Sequence, residues 1–362
     1  MLNQGLKGIV AAETLISHVD GEKGKLIYRG YDVLNITKFY TFEETAFLLW
    51  YGRWPSQDEL AQLKNEMQVQ RALPCHIEQI IKDLPKEMDL MSVIRTCISS
   101  EGNSSYDWKP TINQAIRLTS MFPTIIAYRK RLLEGKPFVY PRTDLSHIEN
   151  YLNMLNGELP IKAHVQALET YMILTMEHGM NASTFSARVT ASTESDIVSA
   201  ITSAIGTMKG PLHGGAPSEV LELLDEIAVV GDVEKVIRAK LSRGERLMGF
   251  GHRIYKTRDP RAIALKANLL DFVGNDQWLD LALEVEEKGI KLLAEYKPGR
   301  ELYTNVEFYA AAIMKAIHME PELFTPTFSA SRVVGWSAHV LEQAENNVIF
   351  RPQSKYIGPF FS

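Results

Sequence analysis

The sequence predicts a mainly α-helical protein of two domains that opens with a short β-hairpin. Three observations lead there. Beyond the first 35 or so residues, apolar side chains recur at the 3.6-residue spacing of helices almost throughout. At 362 residues the chain is too long for one ordinary core. Strand-like runs bracket turn-forming residues only near the N-terminus, where Ile9-Val10-Ala11-Ala12 and Lys25-Leu26-Ile27-Tyr28 flank Asp20-Gly21-Glu22-Lys23-Gly24.

The helices announce themselves in order. Thr41-Phe42-Glu43-Glu44 is a capping box, and Phe42, Ala46, Leu49 and Trp50 follow at helical spacing until Gly52. Ser56 with Glu59 is a second box, opening a helix toward Met67. Helical periodicity then covers Asp89 to Ser100, Thr111 to Leu133, His164 to Ala191 and Ser195 to Met208. It resumes over Ser218 to Ala228, Val233 to Ser242, Pro260 to Phe272, Trp278 to Tyr296 and Val306 to Ile317. Pro321 and Pro326 interrupt, and a last helix is expected from Ser331 to Gln343. Gly210-Pro211 and Gly214-Gly215 break the pattern once and the two prolines break it again, as a middle segment inserted into a larger domain would.

Bulk properties narrow the function. Apolar residues make up 45% and charged residues 23%, the balance of a globular protein. A net charge of −5 argues against a general nucleic-acid binder while leaving room for a local basic pocket. Cys75 and Cys97 sit in unrelated segments without a CxxC pattern, which fits a reducing compartment. No secretory or transit pattern opens the chain and no apolar run reaches the roughly 18 residues of a membrane span, so a cytoplasmic protein is expected.

The chemistry concentrates in GFGHRIYKTRDPRA, residues 249–262. Gly249 and Gly251 allow positive φ and close backbone approach, and Asp259-Pro260 reads as an N-cap followed by the first helical residue. His252 can move a proton near neutral pH, and Arg261 offers a planar fork to a carboxylate. The segment suits a small anionic substrate or a phosphate-bearing one. Gly210-Pro211-Leu212-His213-Gly214-Gly215-Ala216 places a second histidine among breakers, and Asn305-Val306-Glu307-Phe308-Tyr309 sets a carboxylate between apolar neighbours at a helix start. Glu177-His178 falls inside the long predicted helix, next to the small residues Gly179, Ala182 and Ser183. With no HExxH and no second histidine one turn away, a metal site is not expected. Ser331-Arg332-Val333-Val334-Gly335-Trp336 and Phe350-Arg351-Pro352 add two arginines.

Taken together, EHGMNAST, GPLHGGA, GFGHRIYKTRDPRA, TNVEFY, SRVVGW and FRP resemble the citrate synthase family, in order and spacing, over essentially the whole chain. The resemblance implies a large helical domain (1–213 and 321–362), a small one (214–320) and a cleft that closes on substrate. It implies condensation of acetyl-CoA with oxaloacetate and hydrolysis of citryl-CoA, without a metal or bound cofactor. By the same resemblance His213 stabilises the enolate, His252 activates the ketone and His178 binds the oxaloacetate-like substrate. Arg261, Arg332 and Arg351 hold carboxylates, and Lys256, Gly249 and Gly251 meet CoA. Glu307 stands where the family usually has an aspartate base. One extra methylene puts its reach in question: the helix sits back, turnover is slow, or the acyl-CoA differs. The same residues would serve a 2-methylcitrate synthase using propionyl-CoA, or a degenerate member that only binds CoA esters. The family places the arginine of the Arg-Pro motif in the neighbouring subunit's site. That arginine, and a start almost directly at the hairpin, point to a homodimer in which Arg351 crosses over and Phe350, Tyr356, Phe360 and Phe361 anchor the tail.

Overall fold

The computed structural model describes residues 4–6, 8–214, 218–269 and 277–360. A three-stranded antiparallel sheet comes first: β1 (Ser17–Asp20), β2 (Lys25–Tyr28) and β3 (Tyr31–Asp32). Ser17 faces Tyr28 and Asp20 faces Lys25, so the predicted turn at residues 20–24 joins β1 to β2. The first strand is not Ile9–Ala12, which forms no regular structure; hairpin register is fixed by the turn, and the short turn selects the residues just before Asp20.

Helices follow: α1 (Val33–Phe39), α2 (Phe42–Tyr51), α3 (Gln57–Val69), α4 (Cys75–Asp83), α5 (Leu90–Ser99) and α6 (Ile112–Leu133). Then come α7 (His147–Asn156), α8 (Lys162–Thr175), α9 (Ala182–Ser192), α10 (Ile197–Met208) and the single turn α11 (Pro211–Gly214). Next are α12 (Ser218–Val230), α13 (Val233–Ser242), α14 (Pro260–Leu269), α15 (Gln277–Tyr296) and α16 (Val306–Ala316). The last is α17 (Phe324–Glu345). Both predicted capping boxes are formed, with Thr41 and Glu44 on α2 and Ser56 and Glu59 on α3. Gly52 closes α2 in the left-handed conformation, at φ 75°.

Helices α1, α4 and α7 are not among those expected, and two of the expected helices have other bounds. The predicted His164 to Ala191 helix is two helices, separated at residues 176–181, where Gly179 takes φ +64° and Asn181 recaps the chain by accepting from Thr184 N. Apolar periodicity continues across the gap because both helices bury a face, so periodicity alone cannot see it. The last helix begins at Phe324 rather than Ser331. Pro326 lies in its first turn, where the missing N–H has no intrahelical partner to lose. The end of the helix expected at Phe272, the Gly215-Ala216 break and Phe361 lie outside the described residues.

α17 is the central element. Trp336, Val333, Val334, Val340 and Arg332 on it are buried, and it packs against α2, α5, α6, α8, α9 and α10. Helices α12, α13, α15 and α16 pack on one another, and α14 and α16 also meet α8. No helix among the described residues is long and apolar enough to cross a membrane.

Candidate active site

The break between α8 and α9 is held from several sides. The Glu177 carboxylate is fully buried and its Oε1 accepts from Gly179 N (2.5 Å), Ser17 Oγ on β1 (2.8 Å) and His339 Nε2 on α17 (3.2 Å). Arg188 Nη1 lies 2.8 Å from His339 Nδ1; a guanidinium only donates, so Nδ1 accepts and the ring proton sits on Nε2, facing Glu177. Burial pushes the Glu177 carboxyl up, but His339, Arg332 and Ser17 outweigh it and hold it below the ordinary value. Tyr28 Oη donates to the Glu177 carbonyl (2.7 Å) and accepts from its N–H (3.2 Å). Only glycine fits at 335: a Cβ there would lie 2.4 Å from Met176 O. The turn that carries His178 is therefore fixed by β1, β2 and α17 together.

The other wall is built from backbone. Gly251 N donates to Tyr303 O (2.7 Å) and Asn305 N to Gly249 O (2.9 Å), pairing residues 249–251 with 303–305. Gly249 and Gly251 take φ +82° and +81°, as expected of positions that only glycine enters freely. Asp259 caps α14 by accepting from Arg261 N at Oδ1 (2.9 Å). The same carboxylate holds Arg261 Nε (3.1 Å) and Nη2 (2.8 Å) and accepts from Val306 N (3.2 Å) at the start of α16. Asn305 Oδ1 caps α16 through Glu307 N (3.0 Å).

Between the walls lies a cavity of about 190 Å³. His178, His213, His252, Arg261, Glu307 and Arg332 all line it, with Tyr171, Thr175, Asn181, Asn305 and Phe328. Six of the ten residues singled out in the sequence thus meet in one place. Gly251 and Lys256 line an adjoining cavity of about 270 Å³ that shares His252 and includes Arg300. Gly249 is elsewhere, packed toward Phe308 and Val220. Arg351 is exposed in a groove lined by Leu6, Ile9, residues 11–15, Glu342, Gln343 and residues 348–352, outside the central cavity of its own chain.

The protonation of the histidines follows from their partners. His252 Nδ1 accepts from Ile254 N and Tyr255 N, both at 3.2 Å, which leaves the proton on Nε2. Arg261 Nη2 also aims a donor at that nitrogen from 3.3 Å; two fixed backbone donors on Nδ1 against one side-chain donor assign the proton to Nε2, and Arg261 then needs another acceptor. Two donors facing one spot make a seat for an acceptor oxygen. His213 Nε2 faces Ser183, 2.7 Å from its Oγ and 3.3 Å from its N. Burial, and then the charge of Arg332, lower His213 to about 4; burial, Arg261 and Lys256 lower His252 to about 4 against the pull of Asp259. His178, 3.1 Å from Tyr255 Oη, is lowered well below its ordinary range by burial and by Arg261 and Arg332. All three are neutral donors at neutral pH.

Arg332 is fully buried, stacked on Phe328 at 4.7 Å, and among the described residues bonds only through Nε to Thr175 O (2.6 Å). Its two amino groups are left for the cavity, and a buried cation in that state calls for an anion. The Glu307 carboxyl is raised by burial and by Glu219 and Asp259, against Arg261. Sequence reasoning assigns no role to Glu177, Asn181, Ser183, Tyr255 or His339. The signal for Asn181 and Asn305 was the N-cap type of residue ahead of a helix; Glu177 and His339 carry no local signal, since they meet only in three dimensions.

A family model described as citrate synthase, C-terminal domain, matches residues 5–353. Citrate synthase 2 of Bacillus subtilis is 40% identical, over 98% of this chain and 96% of that protein. A 2-methylcitrate synthase of Shewanella oneidensis is 38% identical, over 98% and 94%. Among solved structures, citrate synthase from Thermotoga maritima aligns with TM-score 0.87 at 39% identity, covering 100% of this chain and 97% of that one. The ternary complex of carboxymethyl coenzyme A and oxaloacetate with citrate synthase from Thermoplasma acidophilum aligns with TM-score 0.89 at 30% identity, covering 100% of this chain and 97% of that one.

Proposed function

Because the chain belongs to the citrate synthase family, we infer that its central cavity is where an acyl-CoA thioester and oxaloacetate are joined. The protein is an enzyme of the citrate synthase type, a transferase that condenses acetyl-CoA with oxaloacetate and releases citrate and CoA. The observation that supports the site is the meeting of three neutral histidines, two buried arginines and one desolvated carboxylate on one cavity.

In this reading Glu307 takes a proton from the acetyl methyl group; its raised affinity for protons suits a base. The neutral His213 imidazole donates to the thioester oxygen as the enolate forms, and a neutral donor stabilises that charge without surrendering its own proton. The His252 Nε2–H, beside Arg261, polarises the ketone of oxaloacetate. The enolate carbon attacks the ketone carbon, and His252 helps deliver a proton to the resulting alkoxide oxygen. Water then cleaves the thioester, giving citrate and CoA. Arg332 and Arg261 bind carboxylates in the fixed fork geometry that orients as well as attracts, and His178 completes the seat for oxaloacetate. Lys256 and Gly251, in the adjoining cavity, face the CoA portion, and Gly249 supports that loop.

The division into a large domain (1–213 and 321–362) and a small one (214–320), closing about the breaks near 210–215 and 321–326, belongs to the same proposal. So do a cytoplasmic homodimer and an Arg351 that serves the neighbouring site. Support for the dimer is the exposed apolar surface at both chain ends, including Val10, Leu15, Val348 and Ile357, beside the groove that holds Arg351.

Thiol release from acetyl-CoA should require oxaloacetate and should exceed release from propionyl-CoA. Faster turnover of propionyl-CoA would make the enzyme a 2-methylcitrate synthase, and none with either would leave only a binding role. Mixing inactive Arg351→Ala and His252→Ala chains should restore about a quarter of wild-type activity, since random pairing gives half heterodimers with one intact site each. No recovery after verified subunit exchange would mean that Arg351 serves its own chain or no site at all.

A further inference from the structure

The β1–β2 turn touches both walls of the site, and nothing in the reaction chemistry uses it. Gly21 O accepts from Lys256 N at 2.9 Å. A Cβ on Gly21 would lie 2.3 Å from Ile254 O and 2.9 Å from Ile254 C, so the two backbones meet where only hydrogen fits. Gly24, at φ +61°, sits against the same loop, with Arg258 O and Thr257 Cγ2 each 2.8 Å from its would-be Cβ. Asp20 Oδ1 accepts from Glu22 N (3.1 Å) and Lys23 N (3.0 Å), which sets the turn before it meets anything. At the other end of β1, Ser17 Oγ holds Glu177 Oε1 at 2.8 Å, and Val19 Cγ2 lies 3.4 Å from the would-be Cβ of Gly179. A strand of four residues thus runs from the turn that carries His178 to the loop that carries His252.

The contacted residues give this a chemical meaning. Ile254 and Lys256 flank Tyr255, and the N–H groups of Ile254 and Tyr255 are the two donors on His252 Nδ1. Moving the Ile254 carbonyl rotates the peptide whose N–H belongs to Tyr255.

We propose that the N-terminal hairpin is a positioning clip, in which Gly21 fixes the 254–256 backbone so that His252 keeps its Nε2–H aimed into the cavity, in register with His178. Gly21 is a positioning residue; it touches no substrate. The proposal rests on the reading of His252 as the group that polarises the ketone.

The test is Gly21→Ala beside Lys23→Ala, a change in the same turn at a side chain that is 74% exposed. Gly21 does not need a positive φ, so alanine disturbs it only through the Ile254 contact. A misplacement of a fraction of an ångström should lower kcat by about tenfold and leave the KM for acetyl-CoA unchanged. Imidazole 15N spectra should show His252 changing from a single Nε2–H tautomer to a mixture. Lys23→Ala should match wild type in both readings. Wild-type kcat in Gly21→Ala, or an unaltered His252 spectrum, overturns the clip, and so does an equal loss in both variants. If Gly21→Ala does not fold, Asp20→Ala loosens the turn without a clash; it should give the same tautomer mixing and a few-fold lower kcat, and unchanged spectra there overturn the proposal equally. A wild-type enzyme without oxaloacetate-dependent thiol release would instead refute the reading of the reaction, which the tautomer measurement does not depend on.

Discussion

The two walls of the cavity are made in different ways. The wall bearing His178 and Arg332 is held by buried side chains: Glu177 reaches β1 and α17 at once, His339 is oriented by Arg188, and Arg332 Nε is bound to Thr175 O. The wall bearing His252 and Glu307 is held mostly by backbone pairing, two helix caps and a contact with the hairpin turn. Buried side-chain networks fix a geometry before substrate arrives, because each unmade bond there costs roughly 1–3 kcal/mol. Backbone loops between glycines have fewer such constraints and are the natural place for a site to complete itself. One wall should therefore fail by unfolding and the other by losing catalysis.

The strongest break is expected at Glu307. Glu307→Gln should lower turnover by about 10³-fold and stop exchange of the acetyl-CoA methyl protons with solvent deuterium, since an amide cannot accept a proton. Exchange at the wild-type rate would mean another residue is the base. Glu307→Asp should stay active, and its rate reads how far α16 has adapted to the longer side chain.

His213→Ala and His252→Ala should each cost about 100-fold in kcat at nearly unchanged stability, because each removes a contact made in the transition state. Normal turnover in either folded variant would contradict the donor roles. In the opposite wall, Gly335→Ala drives a methyl group to within 2.4 Å of Met176 O and 2.5 Å of Glu177 Oε2. It should cost about 2–3 kcal/mol in urea unfolding, and a neutral effect would show that this wall yields.

How much of this was legible in the sequence follows the same division. Glycine, proline and capping residues act locally, so the loop at 249–261, the Asp259 cap and the start of α16 could be read along the chain. The helix break at 176–181 could not, although Gly179 and Asn181 stand in it. α8 and α9 each bury a face, and the apolar spacing runs on across the gap. α7 was readable and passed over: Ser146 and Glu149 form a capping box and Gly157 ends the helix. The Glu177–His339–Arg188 chain joins residues more than 150 positions apart, and no spacing rule reaches that far. The meeting of the six cavity residues was inferred from motif resemblance, not from any local pattern.

A smaller effect is read through pH. His213 and His252 stand at about 4 in the folded chain, against an ordinary 6.5. Between those values the unfolded chain binds more protons, so stability contributed by neutral burial is intact above pH 6.5 and is lost as pH falls toward 4. After solvent screening this is about 1 kcal/mol per histidine. Denaturant titrations from pH 7 to 4.5 should show the decline, with a shallower slope in His213→Gln, and an unchanged slope would mean that burial does not hold this ring neutral.

Hydrogen exchange with and without oxaloacetate tests the difference between the walls most directly. Amides at 249–258 and 303–308 should gain strong protection on binding, while those at 176–184 and 329–340 should be protected already and change little. Equal gains on both walls, or a gain confined to 176–184, would contradict an account in which one side is built in advance and the other is completed by substrate.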